Sequence, residues 1–217
     1  ADLDGNDDEA VARTAFIVAH GTGLIAANER RMNYDAETPY GCWLRFTGQM
    51  LNSHMLNDPV LADCSERWHA AMPDRAIPAA LYAWSQLDKS IVAVSEGGRR
   101  SLIDEAIATI EHARTLNQTS PFLPTVATRA YAFAGDDAAV HAAAEQAMAL
   151  NPYNLEVEGF VGTIMALRND PAGEPIVDRA IARHPNPPPW YFIAKFAAAM
   201  MREDTAAAGK ALAQLRQ

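Results

Sequence analysis

Two runs decide the fold, GDDAAVHAAAEQAMALNPYN at 135–154 and GFVGTIMALRNDPAGEPIVDRAIARHPNPPPWYF at 159–192. They say one thing twice. A helical run ends in Asn151-Pro152 and another in His184-Pro185, and the prolines stand 33 residues apart. Each proline follows a small residue, Ala147 or Ala180, by five positions, and each run is preceded by an acidic turn, Gly135-Asp136 or Asn169-Asp170. Small residues let two helices approach closely, and a proline in the loop ends the second of them. The spacing predicts a unit of about 34 residues holding two antiparallel helices, A and B.

Outward from this stretch the same unit recurs. Pair one is TPYGCWLRFTGQMLNSH with PVLADCSERWHAAMP, with Gly48 at the small helix A position and Trp68 where alanine is expected. Pair two is IPAALYAWSQLDKSIVAV with SLIDEAIATIEHARTLN, with Ala83 and Ala113 at the small sites. Pro73 and Gln118 lie 45 residues apart, so this pair carries an insertion, and SEGGRR at 95–100 is its natural place. Pair three is FLPTVATRAYAFAG with DAAVHAAAEQAMALNP, and pair four spans 154–185. The fifth is PPPWYFIAKFAAAMMRED with TAAAGKALAQLRQ. The fold expected is all-α, a right-handed solenoid of about five antiparallel pairs over 38–217. Residues 1–37 read as an acidic lead-in and a helical extension.

Composition removes several functions. The net charge of −9 argues against a nucleic-acid surface. No apolar run reaches the roughly 20 residues that span a bilayer, and no signal peptide opens the chain. The start, ADLDGNDDEA, lacks an initiator methionine and reads as a piece of a longer protein. Gly21-x-Gly23-x-x-Ala26 imitates a dinucleotide loop, but no βαβ unit follows and helix pairs begin almost at once. There is no Gly-x-Ser-x-Gly elbow, no P-loop and no His-Glu-x-x-His. The six histidines are scattered, and Cys42 and Cys64 fit no zinc pattern. The reading is no enzyme, no catalytic residue, no metal and no cofactor.

The period and its two helices are the signature of tetratricopeptide repeats. More narrowly, the chain resembles the tetratricopeptide region of bacterial regulators, where it follows an adenylate cyclase or winged-helix domain. The likeness rests on Pro39, Tyr40, Cys42, Leu44 and Arg45, on Cys64, Glu66 and Arg67, and on Asn186, Pro187, Pro189, Trp190 and Tyr191. It implies a non-catalytic interaction or sensing module, the regulatory part of a larger signalling or transcription-regulator protein. Its partner would be a protein, a peptide or an adjoining output domain. The alternative is a small-molecule receptor binding a metabolite in the groove.

In such arrays the helix A residue after the small site faces the groove, which points to Gln49, Trp84, Arg129 and Thr163, with Lys195 in the fifth pair. A turn away on the same face stand Arg45, Asp88 and Phe133, with Thr125 and Leu167. Arg and Trp carry much of the binding energy at interfaces, and a basic lining favours an acidic segment. The competing reading is that Trp84 and Phe133 fill the inter-repeat core.

Antiparallel packing of pair one brings Cys42 and Cys64 within about two turns of each other, and a bond needs Cα atoms closer than about 7 Å. A bond would place the domain in an oxidising compartment, as the periplasmic part of a membrane-anchored regulator. Free thiols and a cytoplasmic location are the preferred reading.

Overall fold

The computed structural model describes residues 38–51, 58–185 and 187–215, the side chains of 48–51 excepted. The expected extension at 1–37, the glycine motif at 21–26 and Asn186 lie outside them. Ten α-helices and no strand occur among the described residues. They are α1 Pro39–Leu51, α2 Pro59–Ala71, α3 Ala76–Ile91, α4 Glu96–Leu116, α5 Phe122–Ala134, α6 Asp137–Leu150, α7 Leu155–Leu167, α8 Gly173–Arg183, α9 Phe192–Met201 and α10 Thr205–Leu215. A 3-10 turn, Pro189–Tyr191, leads into α9. Consecutive helices pack as hairpins, giving five pairs. The chain divides into two compact units, 1–118 and 119–217.

In the first unit, α1 is tied to α2 by a disulfide between Cys42 and Cys64, with Cα atoms 5.8 Å apart. The preferred free-thiol reading is therefore overturned: hairpin packing puts both sulfurs on the facing sides of one helix pair. Asp58 reinforces the joint. Its carboxylate caps α2 by accepting from the Val60 amide at 3.0 Å. It also accepts from Arg45 of α1 at 2.5 and 3.0 Å. The core above is aromatic: Phe46 meets Trp43 at 5.5 Å and Trp84 of α3 edge-on at 5.2 Å.

The insertion in pair two is helix rather than loop. SEGGRR supplies the N-cap of α4, where the Ser95 side chain accepts from the Gly98 amide, and its first turns. Thus α3 and α4 run 16 and 21 residues, against 13 and 14 for α5 and α6.

The second unit is regular. Gly135, Asn169 and Glu203 are its three positive-φ residues among those described, at 80°, 62° and 58°, and they fall 34 positions apart. Each closes a helix A in the same way. The amide of the next residue, an aspartate, bonds back five residues: Asp136 to the Tyr131 carbonyl, Asp170 to Met165 and Asp204 to Ala199. This six-to-one bond around a left-handed residue is the Schellman C-cap. Two of the aspartates then cap the following helix, Asp136 through the Ala139 amide and Asp204 through Ala207.

Small residues hold the helices close, as the sequence predicts. Ala147 and Ala180 are fully buried. A Cβ on Gly162 would lie 2.7 Å from Ile176 of α8, and one on Gly173 would lie 2.2 Å from the Ala166 backbone of α7. Gly159 lies flat against the Tyr191 ring, whose hydroxyl donates to the Leu155 carbonyl at 2.7 Å.

Candidate helix A interface

The 34-residue turn fixes which residues are equivalent on α5, α7 and α9. One helix A position holds Arg129, Thr163 and Ala197; the position a turn later holds Phe133, Leu167 and Met201. The first expectation to correct is Lys195. It stands two positions before Ala197, and two residues on a helix turn a side chain by about 200°. Lys195 accordingly points at α8, where its ammonium donates to Glu174 at 2.9 Å and pairs with Asp178 at 2.8 Å. Burial pulls its pKa down, but the bonds to Asp178 and Glu174 outweigh that and leave it raised.

The other expected residues of the second unit share one face. The Arg129 guanidinium lies 5.3 Å from the centre of the Phe133 ring, one turn on, in a cation–π contact. Thr163 is 7% exposed, and its hydroxyl has no hydrogen-bond partner among the described residues. Thr125 is buried and donates to the Pro121 carbonyl. The row at 133, 167 and 201 is apolar on all three helices. Phe133 is half-buried, while Leu167 and Met201 are 52% and 50% exposed. α7 packs on both α5 and α9, so the row crosses adjacent helices.

In the first unit the expected residues hold the scaffold. Arg45 pairs with Asp58 across the α1–α2 joint. Trp84 is 6% exposed and sits against Phe46, and Asp88 is buried in the same helix. The side chain of Gln49 lies outside the described residues. The basic lining read from sequence is therefore largely engaged within the protein, since Arg45 and Lys195 both have carboxylate partners.

Met201 and Ala197 escaped the sequence reading because no small residue marks the fifth helix A: Phe196 stands where Thr128 and Gly162 stand. The signal that finds the phase is the turn itself, Gly-Asp, Asn-Asp and Glu-Asp at 135, 169 and 203.

Tyr82 stacks on His69 at 5.0 Å, donates to Glu105 and accepts from Gln86. Burial, then the bond to Glu105, pushes its pKa up to about 12, so it stays a neutral hydrogen-bonding fixture. Among the described residues no group of three or more His, Cys, Asp or Glu is placed to hold a metal ion. None of the described helices is long and apolar enough to cross a membrane.

The fold is similar to that of a thermophilic TPR protein from Thermus thermophilus in its crystal structure. The TM-score is 0.59 at 13% identity, over 96% of this chain and 99% of that one. At that identity the likeness shows the fold, an all-α tetratricopeptide-type helical repeat. No family model matches the chain, and neither does any curated protein. The residues behind the regulator resemblance do structural work here: Cys42 and Arg45 tie α1 to α2, and Trp190 and Tyr191 are buried beside α7.

Proposed function

We propose that this chain is a non-catalytic protein-interaction module whose helix A face on α5, α7 and α9 takes an apolar segment of a partner protein. The apolar row of Phe133, Leu167 and Met201, repeated at one position on three adjacent helices, carries this reading. A folded chain gains nothing from leaving such a row open, and an apolar ligand would recover the burial energy. Behind the row, Thr163 and Arg129 are each only 7% exposed, and Arg129 lies against Phe133, so they back the apolar face from within.

The test is a peptide library displayed against the folded chain. Selected peptides should carry spaced apolar side chains, and Leu167→Glu with Met201→Glu should abolish their binding with helicity unchanged. Peptides that bind the double variant equally well would overturn the reading. If metabolites stabilised the chain and no peptide were selected, the receptor alternative would take its place.

The resemblance in pair one supports a setting as the regulatory part of a larger signalling protein, with an output domain elsewhere. The Cys42–Cys64 bond supports an oxidising compartment, such as the periplasm, for that part.

A further inference from the structure

The insertion in pair two ends in side chains that the fold does not use. Counted from the small sites, the added length lies at the tip of the α3–α4 hairpin. The start of α4 stands 17 residues before Ala113, whereas the start of α6 stands 10 before Ala147. Ala83 stands 8 residues before the end of α3, whereas Thr128 stands 6 before the end of α5. At 1.5 Å per residue, the seven extra residues lengthen α4 by about 10 Å beyond the regular repeat.

At this tip α3 runs out into Ile91, Val92, Ala93 and Val94. Ile91 and Val92 are about half exposed, and Val94 is fully exposed. Leu87 and Ser90, just before them, are buried, so the exposed apolar run is confined to the tip. The amides of Val92 and Ala93 bond back to the Lys89 and Ser90 carbonyls, and those of Gly98 and Arg99 to the Ser95 side chain and carbonyl. Four amides of the tip are thus satisfied within it, as entry into an apolar medium requires.

Charge accompanies the apolar run. Elsewhere cations are committed to carboxylates: Arg45 to Asp58, Lys89 to Glu66, Arg168 to Asp137 and Lys195 to Glu174. Arg99 and Arg100 are exposed, and among the described residues neither meets a carboxylate. At about 100° per residue they stand about 40° and 60° to either side of the buried Ile103, at the tip end of the inward face of α4. Gly97 and Gly98 precede them. A Cβ on Gly97 would meet nothing within 4 Å, so packing does not demand a glycine there, although glycine weakens a helix. Bare backbone at this point leaves the positive end of the α4 dipole open beside the arginines. Glu96 is the one acid within the tip, and Asp104 is the next one down the helix. From Lys89 to Arg100 three cations stand against one carboxylate, on a chain of net charge −9.

We propose that this tip is a peripheral membrane contact: Ile91, Val92 and Val94 enter the headgroup boundary of an anionic lipid bilayer while Arg99 and Arg100 bind lipid phosphates. Shape and charge favour the bilayer over a folded partner. The apolar side chains are aliphatic and stand on a projecting end rather than around a groove, and a bilayer asks only for depth. Apolar entry and cationic attraction are the two signals that together hold a protein reversibly at a membrane surface. Without such a patch, an acidic chain would be repelled by the same surface.

Flotation of the 217-residue chain with lipid vesicles tests the proposal. The chain should bind vesicles of equimolar phosphatidylglycerol and phosphatidylcholine, and scarcely bind phosphatidylcholine alone. Added salt should release it, because screening weakens attraction between exposed charges. Val94→Asp, and separately Arg99→Ala with Arg100→Ala, should each lower the lipid partition coefficient by about tenfold or more with circular dichroism unchanged. Tyr153→Asp, at a well-exposed site in the second unit, should leave it as it is. A polarity-sensitive dye attached to Val94→Cys should shift to the blue on the anionic vesicles, and the same dye on Tyr153→Cys should not. Failure to bind the anionic vesicles would overturn the proposal, as would binding indifferent to Val94→Asp or to loss of the two arginines. A chain that ignores lipid but forms an oligomer dispersed by Val94→Asp would show that a second copy covers the tip, and would overturn it too.

Discussion

The two units solve one problem by different means. In the first, α1 is joined to α2 by a covalent bond and an ion pair, large aromatic rings fill the space beneath, and α3 and α4 are longer than the repeat allows. In the second, alanine and glycine set the helix spacing, three identical turns set the length, and ion pairs clasp one hairpin to the next. Where geometry repeats, each junction is stabilised by the same few small contacts. Where it does not, bulk and a cross-link substitute for register.

The largest effect that would sharpen this contrast is Tyr191→Ala. The ring is fully buried against Gly159 and its hydroxyl holds the Leu155 carbonyl, so truncation should destabilise the second unit by about 4 kcal/mol. Trp190 is the second unit's tryptophan, against Trp43, Trp68 and Trp84 in the first. Urea unfolding followed by fluorescence, with and without Trp190→Phe, should place the loss in the second unit. A uniform loss in both would break the distinction.

Cys42→Ser is the counterpart in the first unit. Closing a 22-residue separation restricts the unfolded chain, and removing the bond should cost about 3 kcal/mol. Reductant should lower the first transition by the same amount and leave the Trp190-reported one in place. An unchanged midpoint would mean that the ion pair and aromatic core suffice.

Ala147→Leu tests the small-residue rule. Ala147 is fully buried in the cluster with Val157 and Val161, and overpacking there should cost about 2 kcal/mol by thermal denaturation. No loss would reveal slack between α6 and α7.

The smallest effect concerns the clasp at His141. Its hydrogen bond to Asp170 raises the imidazole pKa. For Asp170, burial pushes up, but the bonds from His141 and the Ala172 amide outweigh it and lower its pKa. The histidine's contribution is therefore complete below its unfolded pKa and is lost as pH rises through the higher folded value. The aspartate's is present above its unfolded pKa and is lost in acid. His141 is half exposed, so the stabilisation that wild type loses relative to His141→Gln between about pH 6 and 8 should stay under about 1 kcal/mol. Parallel pH profiles for the two proteins would mean that the clasp contributes nothing.

Much of this was legible in the chain. The small sites at Ala83, Ala113, Ala147, Ala180 and Gly162 all prove buried, because close packing leaves a compositional trace at fixed spacing. The fifth pair was misphased because Phe196 breaks that trace, standing where Gly162 stands on α7. The disulfide was not legible, since pairing depends on where two helix faces meet and spacing along the chain leaves that open. Nor was the fate of Arg45 and Lys195: a cation on the expected face becomes scaffold once a carboxylate arrives from a neighbouring helix.

The turns at 135, 169 and 203 also constrain how such a chain can change over evolutionary time. Each places a left-handed residue before an aspartate that answers a carbonyl behind it. Deleting residues 136–169 would join Gly135 to Asp170 and restore the same turn, whereas losing a few residues more or fewer would turn every following side chain away from its neighbour. In this half of the protein, length is inherited in whole repeats, so surviving insertions and deletions should come as multiples of the repeat or fall in the first half, where α4 already carries one.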